Sequence, residues 1–369
     1  MISYHPLQIA EVRPEGSDAV CVTLDVPDEL RDAFRFAPGQ HIGVRATIEG
    51  QEVRRTYSIC SATDERHLRI GVRLHERGSM SGHLGRKLRA GDTLEVLPPT
   101  GRFILTPDAG ATRTYCAFAS GSGITPILGI IKNVLRHEPA SRFLLFYGNR
   151  TTASIMFAEE LLALKDRYPQ RLSLYFLMSR EPQDVELFNG RLDAAKVGVL
   201  GREFFDAGSI DGFFLCGPDT MIDSVRAGLV GLGVETARIH SEHFTSEGVR
   251  VKVELPVGRA SARHPEVGLK PDLQQEQTQV TVVMDGRRRS FAMASDGTTV
   301  LEAAEQAGLE LPYSCRAGVC STCRTRVVRG AVTMMTNYAL EPWEVEAGYV
   351  LCCQALPAAS ELELTYDER

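Results

Sequence analysis

Cys315-Arg-Ala-Gly-Val-Cys320-Ser-Thr-Cys323 is the stretch on which the reading of this chain turns. Three thiols crowd into one short segment, and Cys352 and Cys353 follow as an adjacent pair. The other four of the nine cysteines, Cys21, Cys60, Cys116 and Cys216, are scattered upstream. The count is odd, and the start Met1-Ile-Ser-Tyr-His-Pro6 shows no charged region followed by an apolar run, so neither a disulfide framework nor a signal peptide is expected. Clustered thiols in a reducing compartment hold a metal or a cluster more often than they staple a fold.

A plant-type 2Fe-2S cluster takes four thiolates from a C-x4-C-x2-C loop and one distant cysteine. Cys315, Cys320 and Cys323 meet that spacing, with Cys352 or Cys353 as the fourth. Ser314, Ala317, Gly318, Ser321 and Thr322 are small enough to let backbone N–H groups approach sulfide. Zinc usually asks for paired C-x2-C knuckles, and only one is present; thiols serving merely as core residues would not bunch in this way. Strand neighbours point to opposite faces, so only one of Cys352 and Cys353 is expected to reach iron.

Working outward, residues 278–369 read as a small domain. Val280, Val282 and Met284 lead into the turn Asp285-Gly286, and residues 289–292 return. Thr299 and Glu302 have capping-box spacing for a helix over 299–307, which Gly308 stops. The segment holds eight Lys/Arg against twelve Asp/Glu, a balance of −4 that accounts for most of the chain's acidity. Upstream, 246–277 has three prolines and the polar run Gln274-Gln-Glu-Gln277 without periodicity, as a surface linker would, with a short strand read near 249–255.

From 108 to 245 the pattern alternates. Apolar strands are read at 114–119, 142–147, 172–178 and 212–216. Between them lie helical patterns: Ile127, Leu128, Ile131, Val134 and Leu135 share one face, and others fall at 154–166 and 219–231. Such alternation predicts a parallel sheet covered by helices. Residues 1–107 read instead as short strands, with Val20, Val22, Leu24 and Val26 alternating with Cys21, Thr23 and Asp25. Turn signals at Pro38-Gly39-Gln40, Gly50, Gly91-Asp92 and Pro98-Pro99 suggest an antiparallel barrel or sandwich, with one helix near 82–89 capped by Ser81.

The whole chain of 369 residues has room for two to four domains. Its 43% apolar and 24% charged content is that of a globular protein rather than a disordered tail. A net charge of −6 argues against nucleic-acid binding. No apolar run approaches the roughly 20 residues of a membrane span. A cytoplasmic protein is expected.

Further motifs carry chemistry. Arg55-Thr56-Tyr57-Ser58 supplies a cation, an aromatic face and a hydroxyl, which a flavin needs near its phosphates, its ring or ribose, and its N5; as bare strand residues they would be unremarkable. Gly78-x-x-Ser81 at a helix start adds free N–H groups for a pyrophosphate. Gly121-Ser-Gly123-Ile-Thr125-Pro126 follows a strand and opens a helix, the context in which a glycine turn approaches a nucleotide, and Pro126 suits the first helical turn. Cys216-Gly217-Pro218-Asp219 repeats that placement; Cys216 either touches a nicotinamide edge or is an ordinary buried thiol. The second and third strands of this region end in Gly148-Asn-Arg150 and Ser179-Arg180. A cation there suits a 2′-phosphate and a carboxylate suits a ribose diol, so NADPH is favoured over NADH. His243, between Glu242 and Phe244, either contacts the flavin or packs.

Arg-x-Tyr-Ser, Gly-x-Gly-Ile-Thr-Pro and Cys-Gly-Pro in this order resemble the ferredoxin–NADP reductase family over 1–245, and 278–369 resembles a plant-type ferredoxin domain. Longer strings are similar to the reductase subunits of ring-1,2-phenylacetyl-CoA epoxidases: Phe36-Ala-Pro-Gly-Gln-His41, Tyr147-Gly-Asn-Arg-Thr151, Ser179-Arg-Glu-Pro-Gln-Asp-Val-Glu186 and Asn337-Tyr-Ala-Leu-Glu-Pro342. The resemblance implies a multidomain chain. An antiparallel β-barrel flavin domain spans 1–107 and an α/β parallel-sheet nucleotide domain spans 108–245. A linker over 246–277 leads to an α+β β-grasp ferredoxin domain over 278–369.

It further implies FAD on Arg55, Thr56, Tyr57, Ser58, Arg73, Gly78, Met80 and Ser81. A dinucleotide is implied on Gly121, Gly123, Thr125, Cys216, Gly217, Pro218 and Asp219, to which the charge argument adds Arg150, Ser179 and Arg180. Ser58 and Cys216 are the residues expected at the hydride-transfer centre. The Tyr349-Val-Leu-Cys-Cys-Gln354 run, similar to the Val-Leu-x-Cys string of such ferredoxins, puts Cys353 on iron. Arg77 stands before Gly78, where relatives often carry a second glycine.

The implied activity is electron transfer from NADPH through FAD to the 2Fe-2S cluster. NADPH gives a hydride, the cluster takes one electron, and a flavin converts between them. The implied partner is the di-iron oxygenase component of a multisubunit epoxidase, in phenylacetate degradation. The cluster segment's acidity suggests a basic docking surface on it. No Glu-x-x-His pair marks a di-iron site in this chain itself. A Rieske-type oxygenase or a hybrid-cluster protein as acceptor, or a redox-sensing module without turnover, would share the same cofactor sites.

Overall fold

The computed structural model describes residues 3–75, 78–244, 277–340 and 342–368. The chain forms two compact units, divided after Thr245. The expected linker and the strand near 249–255 lie outside the described residues, except that Gln277 already begins a strand. Arg77 lies outside them too.

The first unit opens with β1 (His5–Glu15), β2 (Ala19–Asp25), β3 (His41–Ile48), β4 (Gln51–Ser58) and β5 (Leu68–Arg73), followed by the short helix α1 (Ser79–Gly82) and β6 (Thr93–Val96). The sheet runs β4-β3-β6-β1-β2-β5, every pairing antiparallel. It closes on itself where Ile59 bridges Ile70 and Cys60 N–H donates to Arg69 O at 2.9 Å. The result is a barrel. Alternation along β2 serves two cores at once, with Val20, Val22 and Leu24 filling the barrel while Ala19 and Cys21 face outward into the neighbouring layer.

The helix expected at 82–89 begins earlier. α1 starts at Ser79 with Gly78 in the capping position, and a π-helical turn follows over His83–Lys87. Ser81 is therefore no cap. Its Oγ accepts from His75 N–H at 3.2 Å and closes the loop ahead of the helix.

The unit continues with β7 (Thr114–Ser120), α2 (Ile124–His137), β8 (Arg142–Asn149), α3 (Ala158–Arg167), β9 (Leu172–Met178), α4 (Ala194–Phe204), β10 (Gly212–Gly217), α5 (Asp219–Gly231) and β11 (Ile239–His243). All five strands are parallel in the order β11-β10-β7-β8-β9. α2 and α3 cover one face, α4 and α5 the other. The chain winds outward from β7 in both directions, so the strand order reverses between β7 and β10, where such sheets open a ligand crevice. α3 starts later than the 154–166 pattern suggested because Phe157 takes a left-handed backbone, φ 57°, and breaks the run.

Barrel and sheet share a core in which Cys21, Cys60 and Phe103 pack with Ile127, Leu128 and Ile131 of α2. The approach is close: a Cβ on Gly129 would lie 2.8 Å from Ile59 O, so only glycine lets α2 lie on the segment that follows β4.

The second unit contains β12 (Gln277–Met284), β13 (Arg287–Ala294), α6 (Val300–Gln306), β14 (Arg324–Arg329), β15 (Val332–Met334), α7 (Pro342–Glu346), β16 (Tyr349–Leu351), β17 (Ala355–Pro357) and β18 (Glu361–Thr365). Its main sheet runs β13-β12-β18-β14-β16, with β12 and β18 parallel. The hairpin turn forms at Asp285-Gly286, both left-handed, and the Thr299–Glu302 capping box is reciprocal. Among the described residues no helix is long and apolar enough to cross a membrane.

Candidate functional site

Register on the barrel sets the first cluster of expected residues. β3 and β4 pair so that His41 opposes Ser58, Ile42 opposes Tyr57, Gly43 opposes Thr56 and Val44 opposes Arg55. α1 packs on both strands and so brings Gly78 and Ser81 beside them. Ser58 Oγ is buried without any hydrogen-bond partner in the protein. A buried hydroxyl in that condition calls for a partner the polypeptide does not supply, and a flavin heteroatom is one. Burial pushes the Tyr57 phenol well up, with Arg55 offsetting part of the effect, so the ring stays neutral.

Two expected flavin residues are otherwise engaged. Met80 turns its side chain into the barrel core, which leaves only its backbone for a cofactor. Arg73 pairs with Asp18 at 2.7 Å and donates to Ser154 O at 3.1 Å, which places its guanidinium beside the Gly121 turn. The donor set on the barrel fits FAD.

The second cluster lies at the strand reversal. The turn after β7 and the turn after β10 touch: a Cβ on Gly123 would fall 2.1 Å from Cys216 O. Two strand-to-helix turns pressed together at the carboxyl ends of a parallel sheet make the crevice a dinucleotide enters. Thr125 is fully buried and its Oγ1 donates to Ser122 O at 2.9 Å, fixing the turn. Tyr147 Oη donates to Gly121 O at 2.9 Å from below. Cys216 is completely buried; burial, with Glu242 adding to it, holds its thiol well above its ordinary range, so it is a neutral group there. Gly217 closes β10, Pro218 stands at the cap and Asp219 opens α5.

At the outer strands, Ser179 and Arg180 follow β9 and are zipped to the end of β8: Ser179 N–H donates to Asn149 O and Arg180 N–H to Arg150 O, both at 2.9 Å. Arg150 and Arg180 are exposed. Glu181 lies there, accepting from Thr152 N–H at 2.8 Å and from Thr152 Oγ1 at 2.6 Å, and those bonds hold its carboxyl below the usual range.

Three participants escaped the sequence reading. His41 Nδ1 lies 3.4 Å from Glu242 Oε1, and Glu242 sits opposite Cys216 on the neighbouring strand. The carboxylate thus joins the barrel to the nucleotide crevice. Asn149 Oδ1 is a second buried acceptor without a protein partner. None of these contacts has a local motif. His243 pairs with Asp219, Nδ1 to Oδ1 at 2.9 Å, and so anchors β11 to α5.

In the second unit the four expected cysteines converge. The thiol of Cys315 lies within interaction range of Cys320 and Cys353, and that of Cys353 within range of Cys323. Arg316, Gly318 and Ser321 all have positive φ, 55°, 76° and 54°, which winds the loop around its own backbone amides. Ala317 N–H points at Cys315 Sγ at 3.4 Å, and Gln354 Nε2 at Cys353 Sγ at 3.6 Å. Ser314 Oγ is buried and unpartnered. Cys352 and Cys353 lie in the turn between β16 and β17, not in a strand, so strand alternation does not explain their facing. They nevertheless part, since Cys352 turns to Tyr366. Among the described residues no three His, Cys, Asp or Glu side chains are arranged for a single ion. The chemistry of these thiols and amides fits a 2Fe-2S cluster, which Cys315, Cys320, Cys323 and Cys353 could hold.

Family models agree with this geometry. An oxidoreductase FAD-binding domain matches residues 6–104, an oxidoreductase NAD-binding domain 118–227, and a 2Fe-2S iron-sulfur cluster binding domain 282–358. One of the subunits of 1,2-phenylacetyl-CoA epoxidase from Escherichia coli K12 is 42% identical over 369 residues, covering 100% of this chain and 99% of that one. The ferredoxin reductase component of 3-ketosteroid-9-alpha-monooxygenase from Rhodococcus rhodochrous is 32% identical over 98% of this chain and 96% of its own. Phthalate dioxygenase reductase shares the fold with a TM-score of 0.57 at 21% identity, covering 98% of each chain. With all three domains matched and its full length aligned, the chain belongs to the family of flavin- and 2Fe-2S-dependent ferredoxin-reductase components that includes this 1,2-phenylacetyl-CoA epoxidase polypeptide.

Proposed function

We propose that this oxidoreductase carries electrons from NADPH through FAD and its 2Fe-2S cluster to the di-iron oxygenase component of a phenylacetyl-CoA epoxidase, in phenylacetate degradation in the cytoplasm. The domains divide at 107, 245 and 278. When bound, the flavin accepts a hydride and releases electrons singly. The residues around it position and shield. Arg55 and the α1 start would meet its phosphates, Tyr57 would supply a neutral aromatic wall and Ser58 a hydroxyl. The pressed turns at Gly123 and Cys216 would hold the nicotinamide end of the dinucleotide. The observation that carries the reading is the Ser58 hydroxyl, buried and unpartnered in the same compact unit as the Gly123–Cys216 crevice.

NADPH is favoured because Glu181 is already bound by Thr152, which leaves Arg150 and Arg180 for the 2′-phosphate. Arg150→Gln with Arg180→Gln is expected to raise KM for NADPH at least tenfold and leave KM for NADH nearly unchanged. Equal effects on both would reverse the coenzyme assignment. The acceptor is tested by NADPH-driven product formation with the purified oxygenase component, against a Rieske oxygenase as the rival acceptor.

A further inference from the structure

Among the described residues the large aromatic side chains left exposed are Tyr338, at 40%, and Trp343, at 60%. Tyr338 belongs to a segment that lies along the cysteine loop, and Trp343 to α7. Tyr338 N–H donates to Gly318 O at 3.0 Å, and Ser321 Oγ donates to Ala339 O at 3.5 Å. Asn337 Oδ1 accepts from the Ala339 and Leu340 amides, and Leu340 is buried. An ordered bend therefore holds the Tyr338 ring outward. Trp343 sits on α7 beside Glu344, whose fully buried carboxylate is 3.0 Å from Arg324 Nε. Arg324 directly follows Cys323 and lies 3.9 Å over the Tyr349 ring. α7 thus turns one residue outward and fastens its neighbour to the strand that leaves the cluster.

We propose that Tyr338 and Trp343 form the docking face through which the cluster passes electrons to its acceptor protein; this rests on the reductase reading above. The occupant is the oxygenase component, presenting an apolar cleft with a basic rim. Exposed Trp and Tyr are the side chains that most often anchor interfaces. On α7 Glu346 is exposed, whereas Glu344 is buried against Arg324, and residues 278–369 as a whole carry eight Lys/Arg against twelve Asp/Glu. Aromatic anchors in an acidic field complement a basic, apolar partner. Two chains of contact, from Tyr338 to Gly318 and from Trp343 through Glu344 and Arg324 to Cys323, tie a protein seated there to the cluster. In the transfer the reduced cluster loses one electron, the acceptor's metal centre gains it, and no proton crosses the face.

Trp343 is the only tryptophan of the chain, so its emission reports the contact. Mixing the full-length holoprotein with purified oxygenase component is expected to quench or shift that emission. Trp343→Ala and Tyr338→Ala are expected to slow oxygenase reduction roughly tenfold or more, with Trp343→Phe retaining most of the rate. NADPH-driven cluster reduction without acceptor, followed by absorbance, should be the same in every variant, and an unchanged cluster spectrum shows that each is folded. Alanine variants that reduce the oxygenase at the wild-type rate overturn the proposal. So do variants whose cluster itself is reduced slowly, because the face then serves the chain's own flavin. Failure of the functional reading shows elsewhere, in wild-type protein that reduces no oxygenase.

Discussion

Cys352 and Cys353 are consecutive, yet their thiols part: Cys353 interacts with Cys315 and Cys323, whereas Cys352 packs toward Tyr366. Burial pushes the Cys352 thiol up to about 12, partly relieved by Tyr366, so it is a neutral core group. Cys352→Ser is expected to retain iron, sulfide and visible absorbance. Cys353→Ser is expected to lose the cluster absorbance while NADPH still reduces its flavin. The opposite pattern would move the fourth ligand to Cys352.

Ser58 gives a different signature. Its buried hydroxyl has no protein partner, so Ser58→Ala should change the melting temperature little. Flavin reduction by NADPH should slow roughly 100-fold, the usual loss when one preorganised donor at a reacting centre is removed. Stopped-flow absorbance beside a thermal melt separates the two effects. A variant that melts early yet reacts at the normal rate would show a structural hydroxyl.

A buried ion network joins the barrel to α2 and α3. Lys132, 1% exposed, lies 3.2 Å from Glu65 and also pairs with Glu160, which Arg69 holds at 2.7 Å. Lys132→Met leaves those carboxylates short of a cation and should cost about 3 kcal/mol. For Glu160, burial raises the carboxyl pKa, but Arg69 and Lys132 outweigh it and hold the group below its ordinary 4.5. A depressed folded pKa means stability that is complete above 4.5 and lost as pH falls through the lower folded value. Glu160→Gln should therefore melt with a shallower acid dependence than wild type below that pH. Parallel acid limbs would remove Glu160 from the account.

Local chemistry decided what the sequence disclosed. The Asp285-Gly286 turn and the Thr299 capping box are short-range signals, and each forms as expected. α4 went unread because Gly198 and Gly201 dilute its helical pattern, although Asp193, whose side chain caps Lys196 N–H, was a start signal. β11 went unread because Ile239-His-Ser-Glu-His243 is mostly polar, as an edge strand can be. Ser81 misled as a cap because the loop before α1 uses its hydroxyl. His41 and Glu242 meet only through the tertiary fold, and no motif joins residues so far apart.

The central claim is that one polypeptide converts a hydride into single electrons on iron and sulfide. Anaerobic titration of the reconstituted protein with NADPH, followed together by absorbance and low-temperature EPR, tests it most directly. The account predicts flavin bleaching followed by a rhombic signal from one unpaired electron per cluster, absent in Cys353→Ser. Flavin that bleaches fully while the cluster stays oxidised and EPR-silent would contradict it.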